Sequence, residues 1–184
     1  MSDIILYGSK YGSTRRYAIA LSEQTGIPAI EYSHAPALSD KRVIVYLGGL
    51  YAGGVLGLAK TLRGLALREE QKLILVTVGL ADPNEVENKN NIRVAMQRQL
   101  PATLFDRAKI YHLRGCIDYQ KLSHSHRIVM ALLYQSLRKA PAKRQTAENR
   151  ALIETYGKQV DFTDLNALEP IIQEIQGKAT GTQL

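Results

Sequence analysis

The sequence predicts an α/β domain in which a five-stranded parallel sheet carries helices on both faces. Up to Gly115, short apolar segments in which polar residues do not alternate are followed by segments whose apolar residues recur at helical spacing. Strands that are buried on both faces lack polar alternation, and successive parallel strands are connected through helices. Most of the strand-like segments are followed within two residues by a glycine, which is typical of the turn into a helix.

Each element follows from its local pattern. Short apolar runs predict strands at residues 4–7, 28–32, 42–47, 72–78 and 109–113. Apolar residues at helical spacing predict helices at residues 14–24, 55–67, 91–100, 127–139 and 165–176. Asp164 is a good N-cap for the last helix and Gly177 a good stop, while Pro170 predicts a later start or a kink.

Length and composition indicate one domain spanning residues 1–184, with an insertion at about 117–163. The chain has 184 residues, of which 45% are hydrophobic and 22% charged. We see neither a signal peptide nor an apolar stretch that could span a membrane, so we expect a cytoplasmic protein. The single cysteine, Cys116, excludes an internal disulfide and a cysteine-rich metal site. We expect it to be a buried small hydrophobe.

The positive charge of the chain is concentrated in one segment. The formal net charge is +7, and most of it lies between Lys121 and Arg150, where Glu148 is the one acidic residue. The basic residues of this segment are Lys121, Arg127, Arg138, Lys139, Lys143, Arg144 and Arg150. A nucleic-acid-binding protein would combine such charge with a reading motif, and none is visible, so we expect no nucleic-acid partner.

The helix at 127–139 lies inside this basic segment and is amphipathic. Helical spacing puts Val129, Leu133 and Leu137 on one stripe, with Met130 and Tyr134 beside them. An apolar face bordered by basic residues fits an anionic membrane surface or an acidic partner, which predicts a peripheral membrane contact through residues 121–144. The alternative is a helix that packs on its own domain and leaves its polar face in water.

The loop between the first strand and the first helix has the features of a phosphate site. A bound phosphate needs main-chain N–H groups, small residues that permit close approach, and hydroxyl groups, and a helix N-terminus adds its positive end. The candidate residues are Ser9, Lys10, Tyr11, Gly12, Ser13 and Thr14. The loop matches neither a P-loop nor a dinucleotide-binding turn. The alternative is a helix that Ser13 caps, with no ligand.

On these residues the chain resembles the flavodoxins. Their FMN-phosphate loop reads Ser/Thr-x-Thr-Gly-x-Thr, and Ser9, Gly12 and Thr14 match its hydroxyl, glycine and hydroxyl positions, whereas Tyr11 replaces a hydroxyl or acidic residue. The resemblance implies a flavodoxin-like sheet of strand order 2-1-3-4-5 and an FMN cofactor. In its first loop, its later glycine loops and its basic insertion, the chain is most similar to the menaquinone-dependent, flavodoxin-like protoporphyrinogen dehydrogenases.

The resemblance also implies which loops would hold the flavin ring. After the third strand, Tyr51 can stack on the ring, and Gly53 with Gly54 would allow a backbone flip. In the loop after the fourth strand, main-chain N–H groups would contact the pyrimidine side of the ring. Gly115, after the fifth strand, would close the third side of the ring pocket. The candidate ring-binding residues are Gly49, Leu50, Tyr51, Ala52, Gly53, Gly79, Leu80, Ala81 and Gly115. The alternative for the third-strand loop is a glycine-rich turn with a partly exposed tyrosine.

The expected function is FMN-dependent redox chemistry, with three versions left open. The first is a protoporphyrinogen dehydrogenase-like oxidoreductase, although residues 118–126 are less aromatic and arginine-rich than in those enzymes. The second is a flavodoxin-type electron carrier, and the third an interaction module without FMN, which Tyr11 keeps open. The expected partner is a redox protein or a quinone, and homo-oligomerisation stays open. We predict no catalytic side chain and no metal site, since His124 and His126 lack a third ligand.

Overall fold

The computed structural model describes residues 2–51, 53–139, 141 and 145–177. Five parallel strands form the central sheet in the order β2-β1-β3-β5-β6, and β4 adds an antiparallel hairpin to β3. When the five parallel strands alone are numbered along the chain, this is the predicted order 2-1-3-4-5. The strands are β1 (Ser2–Gly8), β2 (Ala29–Glu31), β3 (Lys41–Tyr51), β4 (Gly54–Val55), β5 (Lys72–Gly79) and β6 (Lys109–Arg114).

Helices cover both faces of this sheet, and short 3₁₀ turns lie at residues 32–34, 119–121 and 165–168. The helices are α1 (Ser13–Thr25), α2 (Leu58–Leu62), α3 (Val86–Gln99), α4 (Ala102–Phe105), α5 (His124–Lys139), α6 (Ala147–Thr155) and α7 (Glu169–Ile175). None of the helices in the described residues is long and apolar enough to cross a membrane.

Two hydrophobic cores lie on opposite faces of the sheet. Side chains alternate along each strand, so Val45 of β3 packs with α1 and α7, while its neighbour Ile44 packs with α2, α3 and α4. Ile74 and Leu75 of β5 divide between the two cores in the same way. Burial on both faces explains why these strands show no polar alternation, and it confirms the predicted α/β fold class.

The predicted helix at 55–67 is wrong over most of its length. Residues Leu50 and Val55 pair across a tight hairpin, as do Tyr51 and Gly54, so the chain first makes β4. The helix α2 begins only after Gly57, whose φ of 79° suits glycine, and it ends at Leu62. The hairpin places the apolar Val55 in the sheet. The spacing of apolar residues along the chain does not indicate such a pairing between strands.

Two other helix boundaries differ from the predicted ones. α3 begins at Val86, earlier than the predicted start at 91. The Asp164 side chain accepts a hydrogen bond from the Asn166 N–H (2.9 Å) and caps a 3₁₀ turn, as its predicted capping role requires. Pro170 then lies in the first turn of α7, where proline is tolerated, and the later start is confirmed.

The predicted insertion contains more regular structure than its sequence indicated. Strand β7 (Cys116–Asp118) pairs antiparallel with β8 (Gln159–Asp161), and α5 and α6 lie between them in the chain. A third core of apolar side chains holds this unit together and reaches the rest of the domain. It contains Leu80, Ile117, Tyr119, Leu122 and Met130, with Tyr11, Ala151, Leu152, Tyr156 and Val160 packed against it.

The face of α5 that packs on the protein is not the apolar stripe predicted from the sequence. Met130 is buried, and the ring of Tyr134 stacks on that of Tyr156 with centroids 3.9 Å apart. Val129 and Leu133 of the predicted stripe are exposed, because the third core takes the neighbouring face of the helix. The apolar residues left in solvent are Ile128, Val129, Leu132 and Leu133.

We predict that Tyr17→Phe destabilises the fold through two lost hydrogen bonds. The fully buried Tyr17 hydroxyl donates to the Arg114 carbonyl (2.8 Å) and accepts from the Asp164 N–H (2.9 Å). Removing it leaves a buried donor and acceptor unpaired, which costs about 1–3 kcal/mol in the free energy of unfolding measured by urea denaturation. Tyr7→Phe is the matched control, and equal stability of the two variants would contradict the assignment.

Candidate functional site

The register of the parallel strands brings three loops to one edge of the sheet. Gly8 of β1 pairs with Gly48 of β3, and Gly49 pairs with Val78 of β5. Because the strands are parallel and their last residues pair with one another, the segments that follow β1, β3 and β5 all leave the sheet at its carboxyl edge. Ligands of open α/β sheets bind at this edge, so the predicted site residues are brought to the expected place.

The first turn of α1 offers main-chain donors at this edge. Gly12 has a φ of 96° and precedes the helix, and its N–H donates to the Ser9 hydroxyl (3.2 Å). In the described part of the chain, the N–H groups of Ser13, Thr14 and Arg15 meet no acceptor. The first N–H groups of a helix have no partner inside it and carry its positive dipole, so this terminus can bind an anion.

The Ser13 and Thr14 side chains are buried beneath the neighbouring loops. A Cβ at Gly115 would lie 2.8 Å from the Ser13 Oγ, and one at Gly49 would lie 3.1 Å from the Thr14 Oγ1. Ser13 is the first residue of α1, and its side chain does not cap the helix, so the alternative of a Ser13 cap is wrong. The structure thus brings four of the predicted residues together, and glycine permits the close approach.

Aromatic side chains flank the first loop. The rings of Tyr11 and Tyr51 lie 6.5 Å apart, and the Lys10 ammonium lies 5.6 Å from the centre of the Tyr51 ring. On its other side Tyr11 meets His126 edge-on at 6.3 Å. Burial raises the pKa of the Tyr11 hydroxyl, and the neighbouring Tyr51 raises it further. Tyr11 therefore joins the first loop to the third core.

The loop after β5 has a partner that the sequence did not predict. The Glu148 carboxylate of α6 accepts hydrogen bonds from the N–H groups of Leu80 (3.5 Å) and Ala81 (3.2 Å). Burial raises the pKa of Glu148, while these two N–H groups and Arg114 act in the opposite direction. Arg114 in turn donates to the Leu80 carbonyl (2.9 Å). In the sequence, the one signal for Glu148 was its position as the sole acidic residue of the basic segment.

Gly79 and Leu50 complete this part of the site. A Cβ at Gly79 would lie 2.6 Å from Leu50 Cδ1 and 3.2 Å from Glu148 Oε2, so only glycine leaves room for both. The Gly115 N–H donates to the Gly79 carbonyl (2.7 Å) and fixes the end of β6 against β5. Gly53 is exposed, with a φ of 77° and open space beside it. Ala52, Lys143 and Arg144 lie outside the described residues.

A family model for the flavodoxin domain matches residues 4–144, which is more than half of the chain. This chain belongs to the flavodoxin domain family. The match covers the central sheet except the first two residues of β1, together with the three loops and α5, and it ends before α6, so Glu148 lies beyond it. No curated protein matches the chain.

Beside its first loop this flavodoxin domain has a cavity of about 400 Å³. Apolar Ile117 and Leu122 line it, together with the cationic groups of Lys10, Arg16 and Lys121. Arg16 pairs with Asp161 (2.6 Å) and Lys121 with Asp118 (3.4 Å), whereas the Lys10 ammonium has no acidic partner among the described residues. The cavity therefore combines apolar side chains with three cations, and the two carboxylates that pair with Arg16 and Lys121 also line it.

Cys116 and His126 also line this cavity. Cys116 is half-buried, so the prediction of a buried residue is wrong: the short β7 leaves its side chain at the cavity wall. The His126 Nδ1 lies 3.0 Å from the Ser123 Oγ, within hydrogen-bonding distance. Among the residues that the structure describes, no group of three or more His, Cys, Asp and Glu side chains could hold a metal ion.

We predict that Tyr11 stabilises the insertion through its ring. Tyr11→Ala removes a half-buried ring from the third core and costs about 1–2 kcal/mol in the free energy of unfolding. Hydrogen exchange should show faster exchange in β7, β8 and α5, while β1 and β5 stay protected. Tyr11→Phe keeps the ring and serves as the control, and faster exchange in both variants would contradict this role.

Proposed function

We propose that this flavodoxin domain binds FMN at the carboxyl edge of its sheet and acts as an FMN-dependent oxidoreductase. The proposal rests on the N-terminus of α1, where N–H groups without an acceptor among the described residues lie beside the Ser13 and Thr14 hydroxyls. This cradle is closed by Gly49 and Gly115, at positions where a Cβ would crowd the hydroxyls. A dianionic phosphate is the ligand that such a terminus prefers.

The surrounding residues also fit the ring of the cofactor. Tyr51 offers an aromatic face at the edge of the first loop, and Leu50 offers an apolar side chain against Gly79. On the other side, the N–H groups of Leu80 and Ala81, which here donate to Glu148, are the main-chain donors that the ring would use. When bound, FMN supplies electron transfer in one- or two-electron steps, and the chain's own residues bind it, orient it and limit its access to water.

The cavity beside the first loop is the proposed substrate site. An apolar molecule that carries carboxylates would place its body against Ile117 and Leu122 and its charges near Lys10 and Lys121. A reduced tetrapyrrole has this character, so the protoporphyrinogen dehydrogenase activity implied by the resemblance is our finer proposal, with a quinone as electron acceptor. Oxidation of a porphyrinogen by the FMN-loaded protein and a quinone tests it, and no turnover with any quinone would refute it.

A flavodoxin-type electron carrier is the second candidate. The basic residues between Lys121 and Arg150 favour it, because an acidic redox protein would be attracted to this surface. A carrier would exchange electrons with such a protein at rates that fall steeply with salt, and it would not oxidise a porphyrinogen.

The exposed face of α5 is the proposed membrane contact. Ile128 and Leu132 are each 63% exposed, and the helix contains basic residues and no acidic ones. Such a face can insert its apolar side chains between anionic lipid headgroups while Arg127, Arg138 and Lys139 contact the phosphates. We therefore propose a cytoplasmic protein that associates peripherally with the inner face of the membrane.

We predict that Thr14→Ala weakens FMN binding and leaves riboflavin binding unchanged. The lost hydroxyl would hydrogen-bond to a charged phosphate, so the Kd for FMN should rise about tenfold or more, measured by quenching of flavin fluorescence. Riboflavin has no phosphate and reports the ring contacts alone. Thr14→Ser keeps the hydroxyl and is the control. An equal loss for both flavins would contradict a phosphate contact at Thr14.

We predict that Leu132→Glu abolishes co-sedimentation with vesicles containing anionic lipid. The substitution puts a charge at the centre of the exposed apolar face of α5, where insertion would bury it. The control is Val94→Glu, since Val94 is 45% exposed and lies on α3, in a different helix from α5. Vesicle binding that survives Leu132→Glu would show that α5 is not the contact.

A further inference from the structure

Glu148 is a carboxylate held by main-chain donors at the proposed flavin site. Its two oxygens accept from the Leu80 and Ala81 N–H groups, and Oε2 lies 3.2 Å from the position of a Cβ at Gly79. These are the three residues of the β5 loop that the flavodoxin resemblance assigns to the pyrimidine side of the ring. The structure therefore places an acceptor of this chain at donors that the cofactor would use.

The helix α6 is held in position by contacts that do not involve Glu148. Ala151 and Leu152 pack on the third core, and the Thr146 hydroxyl caps the helix by accepting from the Asn149 N–H (3.3 Å). Arg150 pairs with Glu85 (3.3 Å) and Glu87 (3.2 Å) at the start of α3. Removal of the Glu148 carboxylate should therefore leave α6 folded and docked.

The carboxylate and a ring carbonyl cannot use the same two N–H groups at the same time. Each N–H group has a single proton to donate, and Glu148 has no cationic partner within ion-pair distance among the described residues. The Arg114 guanidinium donates to the Leu80 carbonyl and lies 3.7 Å from the centre of the Phe162 ring. The Glu148 side chain can therefore move away from the Leu80 and Ala81 N–H groups without breaking an ion pair.

Building on the proposed function, we propose that Glu148 is an internal ligand of the flavin site. Its carboxylate occupies the N–H pair of Leu80 and Ala81 until a ring carbonyl of the flavin displaces it. The residue thereby lowers the affinity for the ring and keeps the β5 loop in its binding conformation before the cofactor arrives. Glu148 lies on α6, beyond the residues that the family model matches.

The test compares flavin affinity in Glu148→Ala, Glu148→Gln and the control Glu154→Ala, which removes an exposed carboxylate from the same helix. Loss of a charge-assisted hydrogen bond that competes with the ring should tighten binding of FMN and riboflavin about tenfold in Glu148→Ala. Glu148→Gln keeps an acceptor oxygen and should fall in between, and Glu154→Ala should match the wild type. Equal gains for both flavins exclude simple repulsion between Glu148 and the phosphate.

A second readout follows the N–H groups without flavin. The amide proton resonances of Leu80 and Ala81 should move upfield in Glu148→Ala and stay in place in Glu154→Ala. Wild-type protein that binds FMN as tightly as Glu148→Ala, or more tightly, overturns the inference and leaves the proposed function intact. Flavin binding by neither the wild type nor any variant refutes the proposed function and the inference together. Binding by Glu148→Ala alone supports both.

Discussion

The parallel pairing of β3 with β1 and β5 is the constraint on which the rest of the structure depends. β3 is buried on both faces, so its register with both neighbours is fixed by two cores at once. The same register brings Gly8, Gly48 and Thr77 level near the carboxyl edge and sets the positions of the loops that follow. The candidate site is therefore a consequence of how the sheet packs.

The insertion belongs to the site because it shares a core with two of its loops. Tyr11 from the first loop and Leu80 from the β5 loop pack with Met130 and Tyr119 of the insertion. One group of apolar contacts thus positions the loops, the start of α5 and the wall of the adjacent cavity. It also explains a tyrosine in the first loop, where the flavodoxin pattern has a hydroxyl or acidic residue, since an aromatic ring reaches the third core.

The sheet was predictable from sequence because strands buried on both faces leave an unambiguous apolar pattern, ended by glycine. The helix predicted at 55–67 failed because the β3–β4 hairpin at Val55 is decided by pairing, which periodicity does not report. Loop chemistry revealed the α1 terminus with Ser13 and Thr14. Glu148 could not be assigned to the site from sequence, because its contact with Leu80 joins residues far apart in the chain and its place in a basic segment does not indicate that contact.

Binding of FMN at this edge of the flavodoxin domain can be tested through the visible absorption spectrum of the protein. The protein is purified without added flavin, then incubated with FMN and separated from the excess by gel filtration. We expect flavin absorption that elutes with the protein at about one flavin per chain and is reduced in Thr14→Ala. A protein that stays colourless and does not quench FMN fluorescence would contradict it and leave a flavodoxin fold that serves as an interaction module.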